Sequence, residues 1–218
     1  MPELAKAQFN VLSFDEKFRH KPVHFGILLG LNRSDFRIYR SELFTIDDTI
    51  RSVESSRGPG FTLGIISNLR IGQHFDLRLL PTMTFTERNL SYRTFEDSSH
   101  VQFIESINLE MPVLLKFKSN PWKDIRLYVL AGAKYSYDLA SNAKARNAEN
   151  LVKVNPHDLH LDYGIGMEIY FPMFILAPEI RISQGLFDIH ALDPALQYSS
   201  VLDRLLSRMV MITFNFEG

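Results

Sequence analysis

Few residues in this chain are of types and spacings that do chemistry. The densest group of ligand-type side chains is His157, Asp158, His160 and Asp162, types that bind divalent metals when three or four converge. In an extended chain successive side chains point to opposite sides, so His157 faces away from the other three and no metal is expected there. Gly164-Ile165-Gly166 has half of a dinucleotide-binding glycine pattern, but it lies mid-run with no helix after it, so no phosphate cradle is expected. Cysteine is absent, which removes thiolate nucleophiles, thiolate metal sites and disulfides. No Ser/His or His/acid spacing marks a catalytic pair at the end of any run. The expectation is no catalytic residue, no cofactor and no metal, and hence no enzyme.

What remains is a set of charges that recur on one side of extended runs. Asp76, Arg78, Glu110, Lys116, Arg126, Lys134, Asp162, Glu168, Glu179 and Arg181 balance at five acids and five bases, as a narrow, poorly hydrated interior requires. Antiparallel pairing sets Arg126 opposite Glu168 and Lys134 near Asp162 within a diagonal step. Arg181 comes beside Asp162 across the turn at Phe171 to Met173. A cluster of Lys134, Asp162 and Arg181 is therefore expected, with Glu168 and Glu179 nearby. Lys116 and Arg126 are expected nearly opposite each other at one rim.

The elements that must hold these charges are strands. Val23, Phe25, Ile27, Leu29 and Leu31 alternate with His24, Gly26, Leu28, Gly30 and Asn32, and the same period of two recurs from Phe61, Phe75, Phe103, Leu127, Leu159, Phe174 and Val210. Eight strands result, with no helical periodicity competing. The connections alternate in length: long (33 to about 59), short (69–73), long (87 to about 100), short (118–124), long (138 to about 156), minimal (171–173), long (184 to about 201). A soluble lipocalin-like barrel has no need of that alternation, whereas it places every tight turn at one end of a membrane barrel and every long loop at the other. Aromatic residues agree, with Phe75, Phe117, Trp122, Phe171, Phe174 and Phe216 near the short-turn end and Phe85, Tyr92, Phe103, Tyr135 and Tyr137 toward the other, as in two interfacial girdles.

The expected fold is all-β, an eight-stranded antiparallel transmembrane up-and-down β-barrel over 21–218, preceded by a tail over 1–20. Both termini fall on the periplasmic side of an outer membrane, whose lipid is the first partner. Within the tail, Leu4-Ala5-Lys6-Ala7-Gln8 has the small-x-small spacing of a signal-peptide end. Uncharged stretches such as 22–32 and 169–178 are too short for a membrane helix. A net charge of −1 with 45% hydrophobic residues excludes a disordered tail and a polybasic nucleic-acid binder. An eight-stranded barrel is filled by its own side chains, so no wide channel is expected. The long 33–59 connection carries Phe36, Ile38, Tyr39, Leu43, Phe44 and Ile46. That is too apolar for a solvated loop, and it is expected to fold over the barrel mouth or dock on a partner.

Several segments add a resemblance. Phe14-Asp15, Lys21-Pro22-Val23-His24-Phe25-Gly26, Gly30-Leu31-Asn32 and Phe36-Arg37-Ile38 are joined by Met111 to Lys118, Ala131 to Ser136, Asp138 to Ser141, Asp203 to Leu205 and Phe214 to Glu217. Together they resemble the PorT family, called SprT in gliding relatives, of the type IX secretion system, over essentially the whole chain. Pro-x-Leu-Leu-Lys and the strand glycines look like outer-membrane β-barrel domains at large, and the His-Phe-Gly opening looks more specifically PorT-like. Phe216 is followed by Glu217-Gly218, a departure from the usual aromatic barrel end. The resemblance implies a non-enzymatic outer-membrane component, with other type IX secretion components as partners, needed to export proteins with C-terminal sorting domains. A generic surface barrel with a binding or adhesion role, and a lipid-modifying enzyme, are the competing readings.

Overall fold

A computed structural model describes residues 21–40, 50–94, 99–140, 155–189 and 202–218. The strands are β1 (Val23–Arg40), β2 (Ile50–Arg70), β3 (Phe75–Leu79), β4 (Thr82–Thr94), β5 (Ser99–Lys118), β6 (Ile125–Asp138), β7 (His157–Tyr170), β8 (Ile175–Gly185) and β9 (Leu202–Glu217). Each pairs antiparallel with its neighbour, and β9 returns to β1 over Gly26 to Arg40, which closes the cylinder. β3 and β4 are one barrel strand, because Ile65 N donates to Pro81 O at 3.0 Å and Leu80 N to Pro112 O at 3.1 Å. Pro81 has no N–H to give to the ladder, and the strand is interrupted there. The barrel therefore has eight strands.

Hydrogen-bonded partners run Phe25, Ser67, Leu79, Val113, Ala133, Leu161, Gln184, Arg208 and back to β1 at Asp35, ten residues beyond the start. That stagger over eight strands gives a tilt of roughly 40° and an interior of side-chain width. The outward residues are apolar and exposed: Phe25, Ile27, Leu29 and Leu31 on β1, Leu109 to Phe117 in alternation on β5, and Leu127 and Val129 on β6. Their alternating partners are inward and mostly polar, the reverse of a soluble barrel.

The tight turns at 71–74, 119–124 and 171–174 lie at one end, together with the start of β1 and the end of β9. At that end Phe75 packs on Phe117 (5.1 Å between centroids), Phe171 stacks on Phe174 (4.9 Å), and Phe174 meets Phe216 (6.2 Å). Toward the other end Phe61 stacks on Phe85 at 4.4 Å, and Tyr137 meets His157 at 5.0 Å.

One expectation is corrected. The connection read as 33–59 is mostly strand, since β1 continues to Arg40 and β2 begins at Ile50, with Arg33 opposite Pro59 and Ser34 opposite Gly58. The neighbouring connections shorten similarly, with β4 reaching Thr94 and β5 starting at Ser99. Beyond the apolar belt the outward face of a strand meets water in place of lipid, so the chain stays extended and paired while the apolar period disappears. Phe36 belongs to this extension and is buried, turned into the barrel, with the Arg88 guanidinium 4.9 Å over its ring. Ile38 and Tyr39 lie in β1, their side chains outside the described residues, as are Leu43, Phe44, Ile46 and the tail over 1–20.

Candidate functional site: a charged, filled lumen

The inward row of each strand brings the charges together. Near the tight turns Glu179 is the hub: it accepts from Arg78 Nη1 at 3.0 Å, Arg181 Nε at 2.9 Å and the Tyr128 hydroxyl at 2.8 Å. Arg78 also donates to Glu217 at 2.5 Å. Lys116 pairs with Glu168, which accepts the Tyr170 hydroxyl at 2.5 Å, and the Lys116 ammonium lies 4.0 Å over the Tyr128 ring. Asp76 receives Lys118 at 2.6 Å and Asn68 at 2.9 Å. Farther up, Lys134 donates to Glu110 at 2.8 Å, and Thr84 donates to the same carboxylate at 3.0 Å. Arg78, Lys116 and Lys134 are completely buried. Ions so placed persist only when partnered, because several kcal/mol of desolvation must be offset for each.

An apolar layer separates the two ionic groups on β1 to β6. On β3–β4, Leu80 lies between Arg78 and Thr82; on β5, Leu114 lies between Lys116 and Glu110; on β6, Leu130 lies between Tyr128 and Lys134. Leu28 and Ile66 complete the cluster. On β7 the opposing position is Gly166, where an added Cβ would stand 2.4 Å from Tyr128 Cζ and 2.8 Å from Pro178 O. Glycine is required there because the Tyr128 ring occupies the space of a side chain. Behind this contact the wall carries an outward apolar groove of about 590 Å³ bounded by Leu127, Val129, Ile165, Met167, Ile180 and Phe214.

The expected pairings are met in part. Arg126 stands opposite Glu168 in the ladder, while Glu168 binds Lys116 and Tyr170. Arg181 approaches Asp162 at 3.9 Å and Glu179 at 2.9 Å. Lys134 does not join Asp162: the register sets Lys134 opposite His160 and Gly132 opposite Asp162, and the ammonium turns to Glu110 across β5. The expected facing of Lys116 and Arg126 is likewise replaced, since Lys116 lies opposite Leu130 and reaches over Tyr128 to Glu168. Of the ligand-type group, His160 Nε2 lies 3.1 Å from Asp158 Oδ2 inside, and His157 turns outward to Tyr135 at 2.6 Å. Glu217 and Lys118 were missed, although Glu217 keeps the strand parity of Thr213 and Asn215, both buried, and Lys118 that of Lys116.

This geometry, charges inside and an apolar belt outside, coincides with a family match. The outer membrane protein β-barrel domain model matches residues 7–191. The chain belongs to this family. The segment beyond the match carries β9, which closes the barrel on β1. Among solved structures, the outer membrane protein OprG from Pseudomonas aeruginosa superposes with a TM-score of 0.55 at 14% identity, covering 91% of this chain and 97% of that one. Neisserial surface protein A matches with a TM-score of 0.42 at 11% identity, over 88% and 95% of the two chains. Ail, the attachment invasion locus protein of Yersinia pestis, gives 0.39 at 14% identity, over 91% and 100%. OprG supports the fold. No curated protein matches the chain in sequence.

Proposed function

We propose that this barrel is a non-enzymatic component of the type IX protein secretion system, accessory to the machinery that exports proteins with C-terminal sorting domains or needed for its assembly. The reading rests on the PorT-like segments, from Lys21-Pro22-Val23-His24-Phe25-Gly26 to Phe214-Asn215-Phe216-Glu217. One structural observation gives it its form: the lumen is occupied by partnered ions and by the layer of Leu28, Ile66, Leu80, Leu114 and Leu130. A lumen so filled does not pass a polypeptide, so the contribution to export is made beside a larger conduit, with both termini and the tight turns in the periplasm. The outward groove beside Leu127 and Met167, and the strand extensions toward residues 41–49, are the surfaces that such neighbours would engage.

The test is deletion of the gene in its host, followed by fractionation. Sorting-domain cargo held in the periplasm, and released to the surface by the complementing gene, is the expected result. Normal export from the deletion strain, with the complemented protein still running as a heat-modifiable outer-membrane band, would overturn the secretion role and leave a surface barrel with a binding or adhesion role.

A further inference from the structure

The tight-turn end of the lumen opens on a cavity of about 520 Å³ bounded by Pro22, Arg70, Ile71, His74, Pro121 and Arg126. Strand parity turns four of these inward: Pro22 shares the face of His24, Arg70 that of Asn68, His74 that of Asp76 and Arg126 that of Tyr128, and the four reference residues are buried. Three barrel strands separate β1 from β6 in either direction, so a cavity running from Pro22 to Arg126 spans the mouth. The ion network reaches the same mouth, where Lys118, the last residue of β5, is buried and holds Asp76 at 2.6 Å. The arginine side chains of the cavity wall are largely buried too. Among the described residues, that wall carries two arginines and no carboxylate.

What joins the barrel at this cavity is the chain's own tail. Residues 1–20 enter β1 through Lys21 and Pro22, and Pro22 O accepts from Arg70 N at 2.8 Å, so the segment starts from the cavity wall itself. In an extended stretch Phe14, Glu16 and Phe18 share one face, and Asp15, Lys17 and Arg19 share the other. The first face offers a carboxylate between two rings to a cavity that sets two arginines among Ile71 and Pro121. The second face offers three charges to water. Reach is sufficient: Glu16 precedes Pro22 by six residues, about 20 Å of extended chain. Opposite strands of an eight-stranded barrel at this tilt stand roughly 15 Å apart. A guanidinium carries five N–H donors, so a partner within the wall does not exhaust it. We propose that residues 14–18 dock across the tight-turn mouth, with Glu16 between Arg70 and Arg126, Phe14 toward Pro121 and Phe18 toward Ile71. Docking covers that end of the lumen with the chain's own tail. It depends neither on the membrane orientation nor on the secretion role.

The test exploits the absence of cysteine from the chain. A Lys17→Cys/Asn120→Cys variant carries spin labels at those two sites alone, one on the water-facing side of the docked segment and one on the exposed 119–124 turn. The full chain, folded in detergent micelles and checked by its heat-modifiable band, is expected to give one narrow distance between the labels by double electron–electron resonance. Glu16→Lys in the same background should lower the ratio of docked to undocked populations about tenfold, through loss of a charge-assisted contact. A broad distance distribution without the Glu16 change would overturn docking and leave the segment to a partner protein. A narrow distribution that Glu16→Lys leaves unchanged would overturn the contact with the arginines. Both labels and the Glu16 change lie outside the strands, so the barrel is expected to fold in every variant. Should the lysine variant not fold, Glu16→Gln gives a second reading: a loss of about threefold is expected, and no loss again counts against the contact.

Discussion

The two faces of one barrel wall treat charge in opposite ways. Inside, Arg78, Lys116, Lys118 and Lys134 each meet a carboxylate on another strand, and Glu179 gathers two arginines and a tyrosine. Outside, on β9, β1 and β2, Asp35 is shared by two arginines while Arg33, Arg37 and Arg204 lie exposed on the same wall. The difference follows from solvent. A charge in the narrow lumen has no water to fall back on, so acids and bases are matched and the result is a packing material. A charge at the membrane boundary is hydrated, so Arg57 and Arg208 share one carboxylate while their side chains stay about half exposed. The lumen charges thus pack the interior, and the rim pairs stay in contact with water.

Substitutions can break this contrast at graded strength. Arg78→Met leaves Glu179 and Glu217 short of a cation in a dry lumen, and is expected to cost about 3–5 kcal/mol, read as a lowered urea midpoint in refolding from micelles or vesicles. Removing Lys134 and Glu110 together, as Lys134→Met with Glu110→Gln, should cost less than the sum of the two single changes. Val129→Arg places a charge on the lipid face and is expected to cost about 2–4 kcal/mol near the midplane, with loss of the heat-modifiable band in membrane fractions. Normal folding of that variant as a soluble protein would contradict the membrane assignment. Tyr128→Phe deletes one hydrogen bond to the buried Glu179 carboxylate, an expected loss of about 1.5 kcal/mol in the same refolding measurement. Arg33→Ala, exposed on the outer wall, should leave stability within about 0.5 kcal/mol in the same refolding measurement.

Much of the wall was legible because a period of two is imposed directly by the membrane. Val23 to Leu31 and Met111 to Phe117 declare their outward face without ambiguity, and the alternation of tight and long connections orders the strands. The strand extensions were hidden because the membrane no longer selects their side chains: Arg33, Ser34 and Asp35 carry no alternation, yet they lie in the ladder. The lumen pairs were half legible. Parity identifies which charges face inward, and Arg126 opposite Glu168 follows from register alone. Partner choice depends on reach across the lumen, which is why Lys134 meets Glu110 rather than Asp162 and why Lys116 passes over Tyr128 to Glu168. The tail of the chain shows the same limit: Glu217 looked like an irregular ending in sequence and proves to be the second carboxylate on Arg78.

The most direct measurement is the ionic conductance of the folded wild-type barrel in planar lipid bilayers. A lumen closed by the leucine and isoleucine layer and its flanking ion pairs predicts no stable conductance steps across the voltage range in which the bilayer itself survives. Reproducible ohmic steps from the wild-type protein would show an open aqueous path, and would contradict a filled lumen.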